Sequence, residues 1–105
     1  MKTFNKDKRE LYSALLSLKN EDECKRFLRD LLTEAEIKEF TNRWKVAQML
    51  SKKVDYETIA KQTGMSSTTI ARISKWLNNG MGGYKLMLKR LSKKQSHSHA
   101  SLVVA

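Results

Sequence analysis

Proline is absent from this 105-residue chain, and only 4 glycines interrupt it. With no ring to fix φ or remove a backbone donor, no position forbids helix, and an all-α chain is the natural reading. The single cysteine, Cys24, excludes an internal disulfide. It falls on an apolar stripe, where it reads as a small core residue rather than a nucleophile. No apolar run approaches the roughly 20 residues of a membrane span. The N-terminal MKTFNKDKRE also lacks the apolar stretch of a signal peptide, so the expectation is a cytoplasmic protein without a membrane partner. Catalytic constellations are missing too: no Ser/His/acid, Cys/His or carboxylate pair can be placed on ordered elements at catalytic spacing, which argues against an enzyme, and no cofactor is expected. His97 and His99 supply two ligands where a structural or catalytic metal needs three or four, so no metal site is expected.

Acids are the most informative shortage. The chain carries 21 Lys and Arg against 11 Asp and Glu, with 13 basic and 9 acidic residues in 1–54 and 8 and 2 in 55–105. The last acid is Glu57, and from Thr58 onward the chain is basic or neutral. An unopposed positive field of this kind favours a polyanion. No helix pairs a broad basic face with a strong apolar one, which turns the inference away from membranes and toward nucleic acid.

What is present is helical periodicity. A first helix is predicted from Asp7 to about Lys19, carrying Leu11, Leu15 and Leu18, after a frayed arm over residues 1–6. Asn20 with Glu23 has capping-box spacing, and Cys24, Phe27, Leu28, Leu31 and Leu32 follow at i, i+3, i+4, i+7 and i+8. Thr33 with Glu36 opens a long helix to about Lys52, whose apolar residues Ile37, Phe40, Trp44, Val46, Ala47, Met49 and Leu50 cover more than one face. Apolar residues make up 40% of the chain, so there is a core to bury. A chain this small buries only about two-thirds of its unfolded surface, and part of the cover for so wide a stripe is expected from a second subunit. After a glycine-containing loop at Asn78–Gly83, a last helix with Tyr84, Met87, Leu88 and Leu91 carries Lys85, Lys89, Arg90, Lys93 and Lys94. Residues 1–94 read as a single helical domain and 95–105 as a flexible tail.

The segment 55–78, DYETIAKQTGMSSTTIARISKWLN, reads as a helix-turn-helix. Asp55 caps its first helix and Ser66 its second; Gly64 supplies the turn, and Ala60 allows close approach. Ile59, Met65, Ile70, Ile73 and Leu77 face inward. The outward residues Ser66, Ser67, Thr68, Thr69, Arg72 and Lys75 combine small hydroxyls with cations, a surface suited to a DNA groove. Ser67, Thr68 and Thr69 are assigned to base edges, and Lys61, Ser66, Arg72 and Lys75 to phosphates. An ordinary αα-hairpin would show similar apolar spacing, so the outward chemistry decides for DNA. Two other readings stay open, a helical interaction scaffold and a non-specific nucleic-acid-coating protein.

The stretch LLTEAEIKEFTNRWKVAQML and the helix-turn-helix after it resemble the tryptophan repressor family, in its Trp-repressor-like bacterial branch, over roughly residues 7–93. The match rests on Leu31-Leu32-Thr33 opening a long helix that contains Arg43, then on Gly64, Thr69, Ile70 and Arg72. It implies an all-α, six-helix fold, an intertwined homodimer, and two heads reading successive major grooves of a two-fold-related duplex operator, as a repressor does. It also implies an effector pocket between the long helix and the recognition helix. Thr33, Arg43 and Arg72 stand at the family's ligand-contacting threonine and arginines. Where the family has a glycine that leaves room for the indole, this chain has Ile73, and a serine one turn on is replaced by Trp76. Both changes add bulk, so the pocket is expected to be filled by the protein's own side chains, which argues against tryptophan as effector.

Overall fold

Six α-helices account for the described chain: α1 Lys2–Leu16, α2 Glu21–Leu31, α3 Glu34–Ser51, α4 Tyr56–Thr63, α5 Ser67–Asn79 and α6 Gly83–Val104. The computed structural model describes the backbone of residues 2–104 and the side chains within it except those of Lys2, Phe4 and residues 95–104. No strand occurs among the described residues. The chain divides into two compact units, Met1–Lys38 and Glu39–Ala105.

In the first unit, α1 begins at Lys2, ahead of the Asp7 expected, because nothing in the arm breaks a helix. It ends at Leu16 rather than Lys19. There the Ser17 N–H donates to the carbonyls of Ser13 and Ala14, both at 3.1 Å, and the Ser17 hydroxyl donates to the Ser13 carbonyl at 2.9 Å, tightening the last turn. The Asn20 side chain accepts from the Glu23 N–H at 2.9 Å, and the Glu23 carboxylate accepts from the Lys19 N–H at 3.0 Å. At the start of α3 the box closes in both directions: Thr33 Oγ1 accepts from the Glu36 N–H at 3.1 Å, and Glu36 accepts from the Thr33 N–H at 2.9 Å. The Thr33 N–H, and then its hydroxyl, hold the Glu36 carboxyl below the usual carboxylate range. No residue of α2 is buried, and Leu11, Tyr12, Leu15, Leu16 and Leu31 are exposed.

Every buried apolar side chain among the described residues belongs to the second unit. Val46, Ala47, Ile59, Ile70 and Ile73 are 0% exposed, and Met65 and Leu77 join them. Each fully buried valine or isoleucine among them contributes about 1.5–3 kcal/mol of transfer free energy. Trp44, Met49, Leu50, Val54, Ala60 and Tyr84 pack around this nucleus, with Trp44 and Tyr84 stacked at 6.2 Å between ring centroids. The buried core thus lies in residues 46–77, within the second unit.

Between α3 and α4 the chain turns at Lys53, which adopts φ 64. The Lys53 N–H donates to the Leu50 carbonyl at 3.0 Å and the Val54 N–H to the Met49 carbonyl at 3.1 Å, a Schellman closure with a lysine where glycine is the usual choice. Where a flexible tail is expected from Gln95, the backbone continues as helix to Val104. The side chains there, including His97 and His99, lie outside the described residues.

Candidate nucleic-acid interface

The helix-turn-helix is α4, the turn Gly64–Met65–Ser66, and α5. Asp55 caps α4 by accepting from the Thr58 N–H at 2.8 Å, and that N–H, then the Thr58 hydroxyl, lower the Asp55 pKa. Gly64 ends α4 at φ 73 and ψ 5, with its N–H on the Ala60 carbonyl at 2.8 Å. A Cβ there would meet no atom within 4 Å, so the left-handed backbone, not crowding, selects glycine. Met65 is buried under the turn, and its N–H is bonded to the Thr63 hydroxyl at 3.2 Å. Ser66 caps α5 by accepting from the Thr69 N–H at 3.2 Å, and its own hydroxyl donates to Thr69 Oγ1 at 3.0 Å.

The α5 sequence sorts into one inward face, one outward ridge and two flanks. Ile70, Ile73 and Leu77, at i, i+3 and i+7, enter the core. Thr68, Arg72 and Lys75, at i, i+4 and i+7, form the outward ridge, and with Ser67 all are exposed. Spanning 13 residues, α5 is about 20 Å long at 1.5 Å per residue, and a major groove about 12 Å wide admits such a helix. No carboxylate lies on α5 or beyond it.

Three expected contact residues, Ser66, Thr69 and Lys61, are already engaged within the protein. Thr69 is half-buried and its hydroxyl belongs to the cap formed with Ser66. Lys61 on α4 pairs with Glu57 at 3.6 Å, but both side chains are more than three-quarters exposed, so solvent screens the pair and leaves the ammonium accessible.

One flank of α5 carries Trp76. The Arg43 guanidinium of α3 lies over its ring, 5.8 Å from the centroid, while also pairing with Glu39 at 3.3 Å. Trp76 is 44% exposed, which puts the contact near the lower end of the cation–π range, about 1 kcal/mol. Of the five residues assigned to an effector pocket, contact is seen between two, Arg43 on α3 and Trp76 on α5. Ile73 is 0% exposed and belongs to the buried cluster that also contains Val46 and Ala47. Arg72 points outward with the reading ridge. Thr33 caps α3 in the first unit. Beside Trp76, an open apolar hollow of about 530 Å³ is lined by Trp44, Met81, Tyr84 and Met87.

Sequence reasoning missed Lys53 and the Trp44–Tyr84 stack. A lysine in a left-handed turn carries no glycine or asparagine signal. Val54, an isolated apolar residue directly after two lysines, was the available clue, since a Schellman closure seats an apolar residue at that position.

The Trp repressor protein family model matches residues 6–92. The chain belongs to the Trp repressor family. That is a family of DNA-binding regulators rather than enzymes. Among relatives, YerC of Bacillus subtilis strain 168, itself uncharacterized, is 38% identical over 89 residues, covering 85% of this chain and 86% of its own. A TrpR-like protein from Eubacterium eligens ATCC 27750 superposes with a TM-score of 0.78 at 40% identity, covering 80% of this chain and 87% of that one. A Staphylococcus aureus structure superposes with a TM-score of 0.76 at 37% identity, covering 80% of this chain and 84% of that one. The resemblance expected from the sequence and the all-α, six-helix fold are thus both found. No helix among the described residues is long and apolar enough to cross a membrane, and no group of three or more potential metal ligands occurs among them.

Proposed function

We propose that this Trp repressor family member is a sequence-specific, DNA-binding transcriptional repressor that acts as a cytoplasmic homodimer. The observation that carries the reading is the division of α5: Ile70, Ile73 and Leu77 are buried, while Ser67, Thr68, Arg72 and Lys75 stand exposed on a helix with no carboxylate on it or after it. Thr68 and Ser67 read base edges at the helix N-terminus, and Arg72, Lys75 and Lys61 hold phosphates. Thr69 and Ser66 support this surface by fixing the cap.

Exposed apolar side chains in both units support the homodimer. They include Leu11, Leu15 and Leu16 in the first unit and Met81 and Met87 in the second, apolar surface that a second subunit could cover. Sedimentation or scattering at micromolar concentration decides it, and a monomer removes the two-headed arrangement.

Effector-independent reading is supported by the buried Ile73 and by Arg43 over Trp76. In this reading Trp76 holds the recognition helix to α3 in place of a small molecule, and free tryptophan does not bind. Salt-dependent duplex binding tests the interface itself. Several neutralised phosphates give a steep fall of log affinity with log salt, which a scaffold protein lacks. A nucleic-acid-coating protein shows the same slope without preference among competitor duplexes.

A further inference from the structure

The flank of α5 opposite Trp76 has a different chemistry. There Ser74, Leu77 and Asn78 face the end of α3 and the first turns of α6 across a groove of about 390 Å³, whose other lining residues are Leu50, Ser51, Lys53, Lys85 and Leu88. Its apolar lining is leucine, and the rest is two lysines, two serines and an asparagine, with no carboxylate. Its volume lies within the range of small-molecule sites, about 300–1,000 Å³.

Three details point to an anion. Lys53 and Lys85 come from different elements and converge on the groove, and among the described residues neither takes part in an ion pair. Asn78 Nδ2 donates to the Ser74 carbonyl at 2.9 Å and to Ser74 Oγ at 3.5 Å. As Ser74 Oγ accepts, its own proton remains available to a further acceptor. Finally, Lys53 holds a left-handed backbone, φ 64, that disfavours any side chain. Glycine would serve the turn better, so the lysine there calls for a use of its ammonium group.

We propose that this groove binds a small phosphorylated molecule with an apolar body, its phosphate held by Lys53, Lys85 and the Ser74 hydroxyl and its body against Leu50, Leu77 and Leu88. A divalent phosphate matches two ammonium groups and a hydroxyl donor better than a monovalent carboxylate does. The site does not depend on the DNA-binding reading. Because one wall is the recognition helix, a ligand there contacts α3, α5 and α6 together.

The test is a titration of the full-length protein with phenyl phosphate at constant ionic strength, followed by amide NMR shifts, alongside inorganic phosphate and benzyl alcohol. Saturable shifts centred on Ser51, Lys53, Ser74, Asn78 and Lys85 are expected, with phenyl phosphate binding more tightly than either fragment. Lys53→Gln with Lys85→Gln should weaken it about tenfold or more. Arg90→Gln with Lys94→Gln, on the other side of α6, should leave it unchanged. Non-saturating shifts spread over the lysines, or equal weakening by the two variant pairs, would overturn the site. DNA backbone is the other source of phosphate. If phenyl phosphate fails to bind while the Lys53/Lys85 variant lowers the salt slope of duplex binding by about two, the groove holds DNA and the small-molecule proposal is wrong.

Discussion

Replacing Ile73 by glycine and Trp76 by serine together should open a space where the protein now places its own atoms. Ile73 is 0% exposed, in the buried cluster that includes Val46 and Ala47 of α3. Truncating a fully buried isoleucine to alanine costs about 2–5 kcal/mol, and glycine instead of alanine inside a helix adds about 1 kcal/mol. Losing the Arg43–Trp76 contact removes about 1 kcal/mol more. The total of about 4–7 kcal/mol compares with about 5–15 kcal/mol for a typical folded domain, so the variant should be only marginally folded. A molecule that refills the space should rescue it. Tryptophan at 100 times its dissociation constant would return about 2.7 kcal/mol, which for a domain of this size raises the melting temperature by about 10 °C or more. Thermal melts with and without tryptophan, on the unaltered and the double-variant protein, read this directly. A tryptophan-dependent rise only in the variant is predicted. Saturable tryptophan binding by the unaltered protein would refute the filled pocket. A folded variant whose melting temperature ignored tryptophan would show that Ile73 and Trp76 do not occupy an indole-sized site.

Lys53→Gly should stabilise the protein by about 0.5–1 kcal/mol, because it relieves a left-handed lysine in the α3 closure; a lower denaturation midpoint in urea would contradict that. Gly64→Ala should cost about 1–2 kcal/mol from backbone conformation alone, since a Cβ there meets nothing. Gly80→Ala should cost more, because its Cβ would collide with the Trp76 carbonyl, and equal losses in the two variants would sink that ordering. Asp55 and Glu36 have folded-state pKa values below their ordinary ones, so their caps contribute stability above the usual carboxylate range and lose it as pH falls through that range and below it. Ser66→Ala, whose cap has no titrating group, should leave the shape of that acid limb intact, whereas Asp55→Asn should flatten it.

Most of the fold was legible because its signals are local. Asn20, Thr33, Asp55 and Ser66 each announce a helix start by a side chain that accepts a backbone N–H, and each does so here. The inward set Ile59, Met65, Ile70, Ile73 and Leu77 followed from helical spacing plus one small turn residue. The α1 start is not legible, because polar residues without a breaker are compatible with both arm and helix. The Lys53 turn was missed because a left-handed lysine is set by the hydrogen bonds around it, not by its own preference. Trp76 was recognisable as bulk near Arg43, but the engagement of Thr69 by Ser66 depends on hydroxyl directions that spacing does not carry. Likewise, nothing local links Lys53 with Lys85; only the packing of α6 beside α5 brings them to one groove.

Selection of bound duplexes from a random pool by the full-length protein, with and without tryptophan, tests the central claim most directly. The predicted result is one enriched two-fold-related sequence, with half-sites about 34 Å apart or a multiple of it, unchanged by tryptophan. Thr68→Ala should alter its base preference, and Arg72→Ala should weaken binding to all sequences and flatten the salt slope. A pool that emerges with no enriched sequence would contradict the account.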